Sequence, residues 1–501
     1  MESEVPVRGN RMRKRTKLTV ATLLAVAFFS VFNIINIRGM QGDMPGDPSE
    51  AIAGEPSPSP SAAPSPAEGG DPEESGRLFK DVNDRQWFYP YIQQAVRSGL
   101  VTKKPESAYY PESQISSAEF IRLLLRASGY KAEENDPSGK LAFSQAVALK
   151  LLDKKDAFSA SRPVTRKQAA SLVSRFAGFL SGVGQRVLED TADPGANALC
   201  REYILRPFPF KGKRYFKPDR ELTRAEAVAL IVRACEYKNA PGSFKAREKA
   251  GERKEVRLPI LMYHEITTDP KQLGKIAVTP DEFTGAMELL RTEGFHPVTF
   301  GDLLAFTNGF AGLPGKPVIV TFDDGYKDNY DYAFSIMKSL EMKFVINLVG
   351  NHLSREWNDF DSLSPNKHLS VQNILEMYQS GWVEFQNHTF NLHSWTGEYY
   401  GSVINPYRGE GSQEYGSRLL DDFIRNNGVI EFLLGYRPRV LAYPMGMYTA
   451  VSEAAGKKAG FDITLLTREG INNLGEGLYL MKRINVPHGM KMEDLRKKLH
   501  E

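Results

Sequence analysis

The stretch Pro317-Val318-Ile319-Val320-Thr321-Phe322-Asp323-Asp324-Gly325 limits the possible folds more than any other. Val318 to Thr321 are β-prone and uncharged, and they read as a buried strand. The strand runs directly into two carboxylates and a glycine. In α/β folds, ligands sit at the carboxyl ends of strands. Two acids there can divide labour, one binding a metal and one moving protons. The competing reading is a solvated turn, because Asp and Gly are turn formers.

The residues around this stretch favour a site. Strands and helices alternate from Leu258 onward. Pro259 to Tyr263 reads as a strand ending at His264, and Thr279-Pro280-Asp281-Glu282 as a capped helix start with Phe283, Met287 and Leu290 on one face. His296 to Phe300 reads as a short strand and Tyr330 to Leu340 as a helix. Further strands are expected at Phe344–Val349, Val383–Gln386, Val440–Tyr443, Ile463–Leu466 and Tyr479–Asn485. Such alternation predicts a parallel sheet with helices outside, open or closed into a barrel. After the strand Val383–Gln386 comes His388-Thr389-Phe390-Asn391-Leu392-His393. The i, i+5 spacing does not stack two rings on one helix face, so a loop is expected. Two histidines at one strand end and carboxylates at another, in a chain of eight histidines, are a sufficient set for a divalent metal with open positions.

The N-terminal half is different. At 501 residues the chain exceeds one core and suggests about three domains. Six basic residues between Arg8 and Lys17 precede Leu18–Ile37, 20 residues without a charge. That run is long enough for a membrane anchor with the N-terminus inside; the alternative is a cleaved signal sequence. Either sends the rest out of the cytoplasm. The Pro/Ser-rich segment 38–77 reads as a stiff spacer. A repeat of about fifty residues follows. Its first copy runs from Phe79-Lys80-Asp81-Val82 through Trp87 and Tyr110-Pro111 to a helix with Phe120 and Leu124. The third runs from Leu188-Glu189-Asp190 through Tyr215-Phe216-Lys217 to Leu222-Thr223-Arg224-Ala225-Glu226, and a weaker middle copy spans Ala142 to Phe176. Segment 238–256 is charged and reads as an interdomain linker facing water. A net charge of +3 gives no reason to expect a nucleic acid partner. Cys200 and Cys235 are too few for a disulfide framework or a zinc–thiolate site.

The repeats resemble the S-layer homology family, whose members attach proteins to secondary polymers of bacterial cell walls. By that resemblance Thr223, Arg224 and Glu226 are wall-polymer residues; the same stretch is Ser116-Ser117-Ala118-Glu119 in copy one and Thr165-Arg166-Lys167-Gln168 in copy two. Residues 256–490 resemble the polysaccharide deacetylases, the NodB-homology carbohydrate esterases. Thr321 to Gly325 matches their first motif and His388-Thr389…His393 their second. The i+5 form and the leading Leu261-Met262-Tyr263-His264 look like the poly-β-1,6-N-acetylglucosamine deacetylase branch.

The resemblance implies an irregular (β/α) barrel behind an all-α repeat domain. It implies a divalent metal, zinc with cobalt or nickel as alternatives, held by Asp324, His388 and His393. Asp323 is then the general base and His264 the proton donor to the leaving amine. Tyr443-Pro444-Met445 stands where the family has the loop supplying an oxyanion-binding N–H, with Met445 in place of the usual Tyr. The family's arginine two residues before that proline is absent, since Ala442 stands there, and Arg439 is not assignable to its role. The expected organisation is 1–17 cytoplasmic, 18–37 anchor or signal, 38–77 spacer, 78–237 three repeats, 238–256 linker, 257–490 deacetylase and 491–501 a C-terminal helix. The expected substrate is an acetylated amino-sugar polymer outside the cell. The alternatives are a wall-binding scaffold with a degenerate enzyme domain, and a glycoside hydrolase. The last is disfavoured because adjacent strand residues point to opposite faces and do not flank one sugar bond.

Overall fold

The structure, a computed structural model, describes residues 78–131, 136, 138–154, 159–179, 185–250, 256–353, 368–393 and 402–501. The apolar run Leu18–Ile37 and the 38–77 segment lie outside these residues. Among the described residues no helix is long and apolar enough to cross a membrane.

The repeats build a three-part prism. Helices α1 (Tyr89–Arg97), α2 (Ser117–Ala127), α3 (Lys140–Ala148), α4 (Arg166–Phe176), α5 (Pro194–Arg201) and α6 (Arg224–Asn239) alternate as first and second helices of three copies. The second helices begin at equivalent caps: Ser116, Thr165 and Thr223 each accept from the backbone three residues on. The residues before the caps form a closed cycle of hydrogen bonds. Ile115 N–H donates to Leu222 O, Leu222 N–H to Val164 O, and Val164 N–H to Ile115 O, at 3.0–3.1 Å. The middle copy, weakest in sequence, therefore has the same place as the others.

The region is not all-α. Phe208–Phe210 (β1) and Lys213–Tyr215 (β2) form an antiparallel hairpin. Lys211 and Gly212 both adopt positive φ, the conformation that a two-residue hairpin turn needs. The 238–256 segment is also more than a linker facing water: α7 (Pro241–Ala250) packs Phe244 into the repeat core, and Glu248 is buried between Arg206 and Arg233.

From Arg257 the chain forms a curled sheet. Its strands are β3 (Arg257–Leu258), β4 (Ile260–Tyr263), β5 (Glu265–Ile266), β6 (Ala277–Val278), β7 (His296–Pro297), β8 (Pro317–Asp324), β9 (Phe344–Leu348), β10 (Val383–Asn387), β11 (Val440–Ala442), β12 (Ile463–Leu465), β13 (Asn472–Asn473) and β14 (Ile484–Asn485). The main order is β12-β11-β10-β9-β8-β4-β14, all parallel, with β7 beside the start of β8. Met481 bridges to β12 while Ile484 and Asn485 pair with β4. One segment thus links the two edges, and the sheet curls toward an irregular barrel. Only its last two residues are strand, fewer than the Tyr479–Asn485 expected.

Helices clothe the outside: α8 (Pro280–Thr292), α9 (Phe300–Thr307), α10 (Ser335–Ser339), α11 (Val371–Gln379), α12 (Ser412–Leu434), α13 (Ala450–Lys458) and α14 (Met492–His500). The exception is α9. The run read as the strand His296–Phe300 turns into this helix at Thr299, whose hydroxyl caps it while Asp302 reaches back to the Thr299 N–H. Phe300, Leu303 and Leu304 then pack with Ile260, Ile319, Val345, Val440 and Ile463 inside the barrel.

Strands β10 and β11 pair at one position, Asn387 with Leu441. Below it the Tyr436 hydroxyl replaces a strand neighbour, accepting from Phe385 N–H at 3.0 Å and donating to Phe385 O at 2.6 Å. Tyr436→Phe strips both partners from a buried peptide group. It is expected to cost about 1–3 kcal/mol in a urea titration, with an unchanged fold by circular dichroism.

Candidate functional site

The carboxyl ends of β8, β10 and β11 meet, and three backbone positions there are unusual. Asp324, Thr389 and Met445 adopt φ of 74°, 71° and 55°, left-handed values that non-glycine residues seldom take. Each redirects a strand end into the site. Gly325 follows at φ 73°, and a Cβ on it would lie 2.8 Å from the Leu348 side chain.

Buried amides hold the loop after β10. The Asn387 side-chain oxygen accepts from Thr389 N–H at 2.7 Å. Asn426 of α12 donates to Thr389 O, Leu348 O and the Asn387 side chain. Asp422, one turn earlier, accepts from Phe390 and Asn391 N–H at 2.7 and 2.9 Å. Nothing in their local pattern singled out these α12 residues beforehand. Their signal is the pairing of buried polar side chains with a loop backbone that lacks a strand partner.

This scaffold brings together Asp324, His388 and His393, with one ligand-type atom of each within 4.8 Å of the others. The Nε2 atoms of His388 and His393 lie 3.4 and 3.2 Å from Asp324 Oδ1. His388 Nδ1 is 2.7 Å from Ala442 O, so it donates there and a neutral ring turns the lone pair of Nε2 toward Asp324. Asp324 Oδ1 is buried and accepts no well-formed hydrogen bond among the described residues. A carboxylate oxygen facing an imidazole lone pair is repulsive without a cation between them. The set fits a divalent metal, with the Ala442 carbonyl fixing the histidine tautomer as outer partners of such sites do.

Asp323 is held differently. It lies on the interior face with Ile319 and Thr321. Arg483, fully buried, donates to both of its oxygens at 2.8 and 2.7 Å, and Asn347 donates to one at 2.7 Å. Burial alone would raise the Asp323 carboxyl, but Arg483, His388 and His264 hold it well below the usual carboxylate range. Arg483 was not anticipated. It lies 160 residues from Asp323 in sequence, in a segment read only as a strand.

His264 sits at the end of β4. Burial lowers its pKa against the pull of Asp323 and Asp324, and its Nδ1 has no hydrogen-bond partner among the described residues. Tyr443 is buried and donates to Glu453 at 3.0 Å. Pro444 and Met445 form a tight turn whose Met445 carbonyl accepts from the Thr467 hydroxyl. Two unexpected histidines border the site: the His352 ring lies 4.6 Å from His368 and 6.5 Å from His393, and His368 stacks on Tyr326.

Other candidates lie elsewhere. His488 bonds Glu282 at 2.9 Å on a surface turn. Trp382, just before β10, is buried under the Arg85 guanidinium. Arg439 pairs with Asp462. In the repeats, Thr223 and Glu226 are buried: Thr223 caps α6, and Glu226 closes the capping box and pairs with Arg220. Arg224 pairs with Glu119 across copies. Both cysteines are free.

Arg483→Met leaves Asp323 buried without its counter-charge. A loss of about 3–5 kcal/mol is expected near neutral pH by urea unfolding. Asp323 titrates lower in the folded chain than in the unfolded one. Without Arg483, burial raises the folded-state carboxyl instead, so the gap between variant and wild type is widest where Asp323 is ionised in both and shrinks as pH falls.

Residues 311–464 match the polysaccharide deacetylase family and residues 78–121 the S-layer homology domain. A Bacillus subtilis protein described as a candidate polysaccharide deacetylase is 26% identical over 47% of this chain and 74% of its own length. The Escherichia coli poly-β-1,6-N-acetyl-D-glucosamine N-deacetylase is 23% identical over 43% of this chain, and the match spans 34% of its length. A solved de-N-acetylase from Aggregatibacter actinomycetemcomitans aligns with a TM-score of 0.44 at 24% identity, covering 48% of this chain and 99% of that one. The chain thus carries a polysaccharide deacetylase domain behind an S-layer homology domain.

Proposed function

We propose that the chain removes N-acetyl groups from an amino-sugar polysaccharide at the bacterial cell surface, with poly-β-1,6-N-acetylglucosamine the first substrate to test and peptidoglycan or chitin-like chains the next. The observation that carries this reading is the buried Asp324 Oδ1 facing the ring nitrogens of His388 and His393. Asp324, His388 and His393 would hold a divalent ion, zinc or else cobalt or nickel. When bound, the ion supplies Lewis acidity toward the acetyl carbonyl and makes water a nucleophile near neutral pH.

The chain's own residues account for the proton movements. Asp323, ionised and clamped by Arg483 and Asn347, accepts the proton of the attacking water. Because Arg483 fixes both oxygens, the carboxylate has one orientation and little freedom to lose on reaction. The Met445 N–H would stabilise the developing oxyanion, a role that needs a backbone donor and no particular side chain. His264, neutral at rest, would take up a proton from solvent and pass it to the leaving amine nitrogen. The products are a free amine on the polymer and acetate.

The scaffold alternative rests on the missing arginine at Ala442 and on Met445 in place of the usual Tyr. An arginine, Arg483, nonetheless holds Asp323, which favours the enzyme. The B. subtilis and E. coli relatives, with names that refer to deacetylation, favour the enzyme. The repeats would attach the enzyme to wall polymer, and the apolar run Leu18–Ile37 would tether it to the membrane.

The full chain is expected to release acetate from β-1,6-N-acetylglucosamine oligomers, to lose this activity with a chelator, and to regain it with zinc or cobalt. Asp323→Asn is expected to lower kcat by roughly 10²–10⁴-fold while keeping one metal ion per chain by elemental analysis. His388→Ala is expected to lose the metal itself. Full activity in the chelated protein, or in Asp323→Asn, would overturn the reading.

A further inference from the structure

His264 stands where the chain leaves the main sheet. Tyr263 is the last residue of β4 paired with β8, and Glu265 opens β5, which pairs with β6 instead. His264 belongs to neither pairing. Its carbonyl is taken by a side chain, the amide of Asn329, at 2.8 Å. The same amide nitrogen donates to Asp328 Oδ1 at 2.7 Å. A carbonyl and a carboxylate only accept, so the NH₂ end of the amide must face both of them.

Asn329 is fully buried, and its Oδ1 has no hydrogen-bond partner among the described residues. An unbonded buried acceptor costs stability, so asparagine is a poor choice here for packing alone. The backbone is unusual as well. Asn329–Phe334 wind as a π-helical turn ahead of α10, a geometry that recurs at functional sites, and Asn329 is its first residue. The ring of His264 has no such clamp of its own. His388 rests its Nδ1 on the Ala442 carbonyl, whereas His264 Nδ1 has no partner among the described residues. The direction of the His264 ring is therefore set through its main chain, and Asn329 is what holds that main chain past the last pairing with β8.

We infer that Asn329 is a positioning residue for His264, aiming its imidazole at the leaving nitrogen by holding the His264 carbonyl. The inference rests on the proton-donor role given to His264 above. When the tetrahedral adduct collapses, the C–N bond breaks and its electron pair goes to nitrogen. The nitrogen takes the proton of His264, and a neutral amine departs. An aryl acetate differs at this one step: the C–O bond breaks, and the phenolate leaves with the electron pair and needs no proton. A residue that acts through His264 therefore matters far more for the amide than for the aryl ester.

The test uses the full chain and two substrates, β-1,6-N-acetylglucosamine oligomers and 4-methylumbelliferyl acetate. Asn329→Leu keeps the volume and removes both donations. It is expected to lower kcat on the oligomers by roughly 10²-fold with KM within about twofold, and to lose roughly tenfold less on the aryl acetate. Asn329→Ala, which leaves space rather than a new contact, is expected to show the same split. In a His264→Ala background, Asn329→Leu is expected to cost no more than about twofold on the oligomers, because the group it positions is gone. Equal losses on the two substrates, or losses that multiply in the double variant, overturn the assignment and make Asn329 a residue of the fold alone. Full kcat on the oligomers in both Asn329 variants, beside a slow His264→Ala, sinks the inference and leaves the proton-donor reading standing. His264→Ala at full kcat, or wild type that releases no acetate from the oligomers, overturns the reading itself and the inference with it.

Discussion

The ion pair between Arg483 and Asp323 holds together more of the structure than any other contact. One guanidinium bonds both oxygens of Asp323, the Thr321 hydroxyl, and the carbonyl of Leu466 just past β12. Thr321 in turn donates to Leu261 O on β4. Three strands and the segment that joins the sheet's edges therefore share one charge. Taking both ions out of water costs several kcal/mol each, and only full hydrogen bonding offsets it. That condition is met: every guanidinium nitrogen has an acceptor, and Asn347 serves Asp323 from the other side. A group so held is unlike an ordinary surface aspartate. It stays ionised, it points one way, and it lies beside the histidines without belonging to their cluster.

The neighbouring carboxylate solves the opposite problem. Asp324 is the next residue, and in a regular strand its side chain would leave by the other face. Its left-handed backbone keeps it at the mouth of the sheet instead. Such a conformation costs on the order of 1–3 kcal/mol at each non-glycine position, and the site contains three. The strain persists because the surroundings over-determine it. Asn387, Asn426 and Asp422 occupy the free backbone groups of the Thr389 loop, and Thr467 bonds the Met445 carbonyl. The helix α12 thus has a task beyond covering the sheet: its inner polar residues shape the loop that carries two histidines.

This division explains what the sequence disclosed. The strand Val318–Thr321, the histidine loop and the capped start of α8 are local patterns, set by burial, spacing and turn chemistry within ten residues. The repeats were visible because equivalent residues recur, and their hydrogen-bond cycles follow from that recurrence. Arg483 was hidden because a buried arginine announces itself only through its partner, and that partner is far away in the chain. The helix α9 was hidden by His296-Pro297-Val298-Thr299-Phe300, five residues that suit a strand until Thr299 meets Asp302. The packing of α7 was hidden because Glu248, one of nine charges in 238–256, looks solvated unless Arg206 and Arg233 are known to face it.

The two halves are joined at the end of the sheet away from the site. Gly309, Gly381, Gly435 and Asp462 all precede strands, and all lie against the repeats through Arg206, Asn83, Tyr110 and Lys217. Asp323, Asp324 and His388 end strands or follow them. The eight residues of β8 separate these levels by about 25 Å at 3.3 Å per residue. Seated at the floor of the barrel, the repeats leave the rim that carries the histidines unobstructed. This seat also fixes the orientation of the site relative to the prism, which a flexible linker would not. The short connection through α7 is compatible with this arrangement, because the buried charges and Phe310, rather than the connection's length, hold the two parts in register.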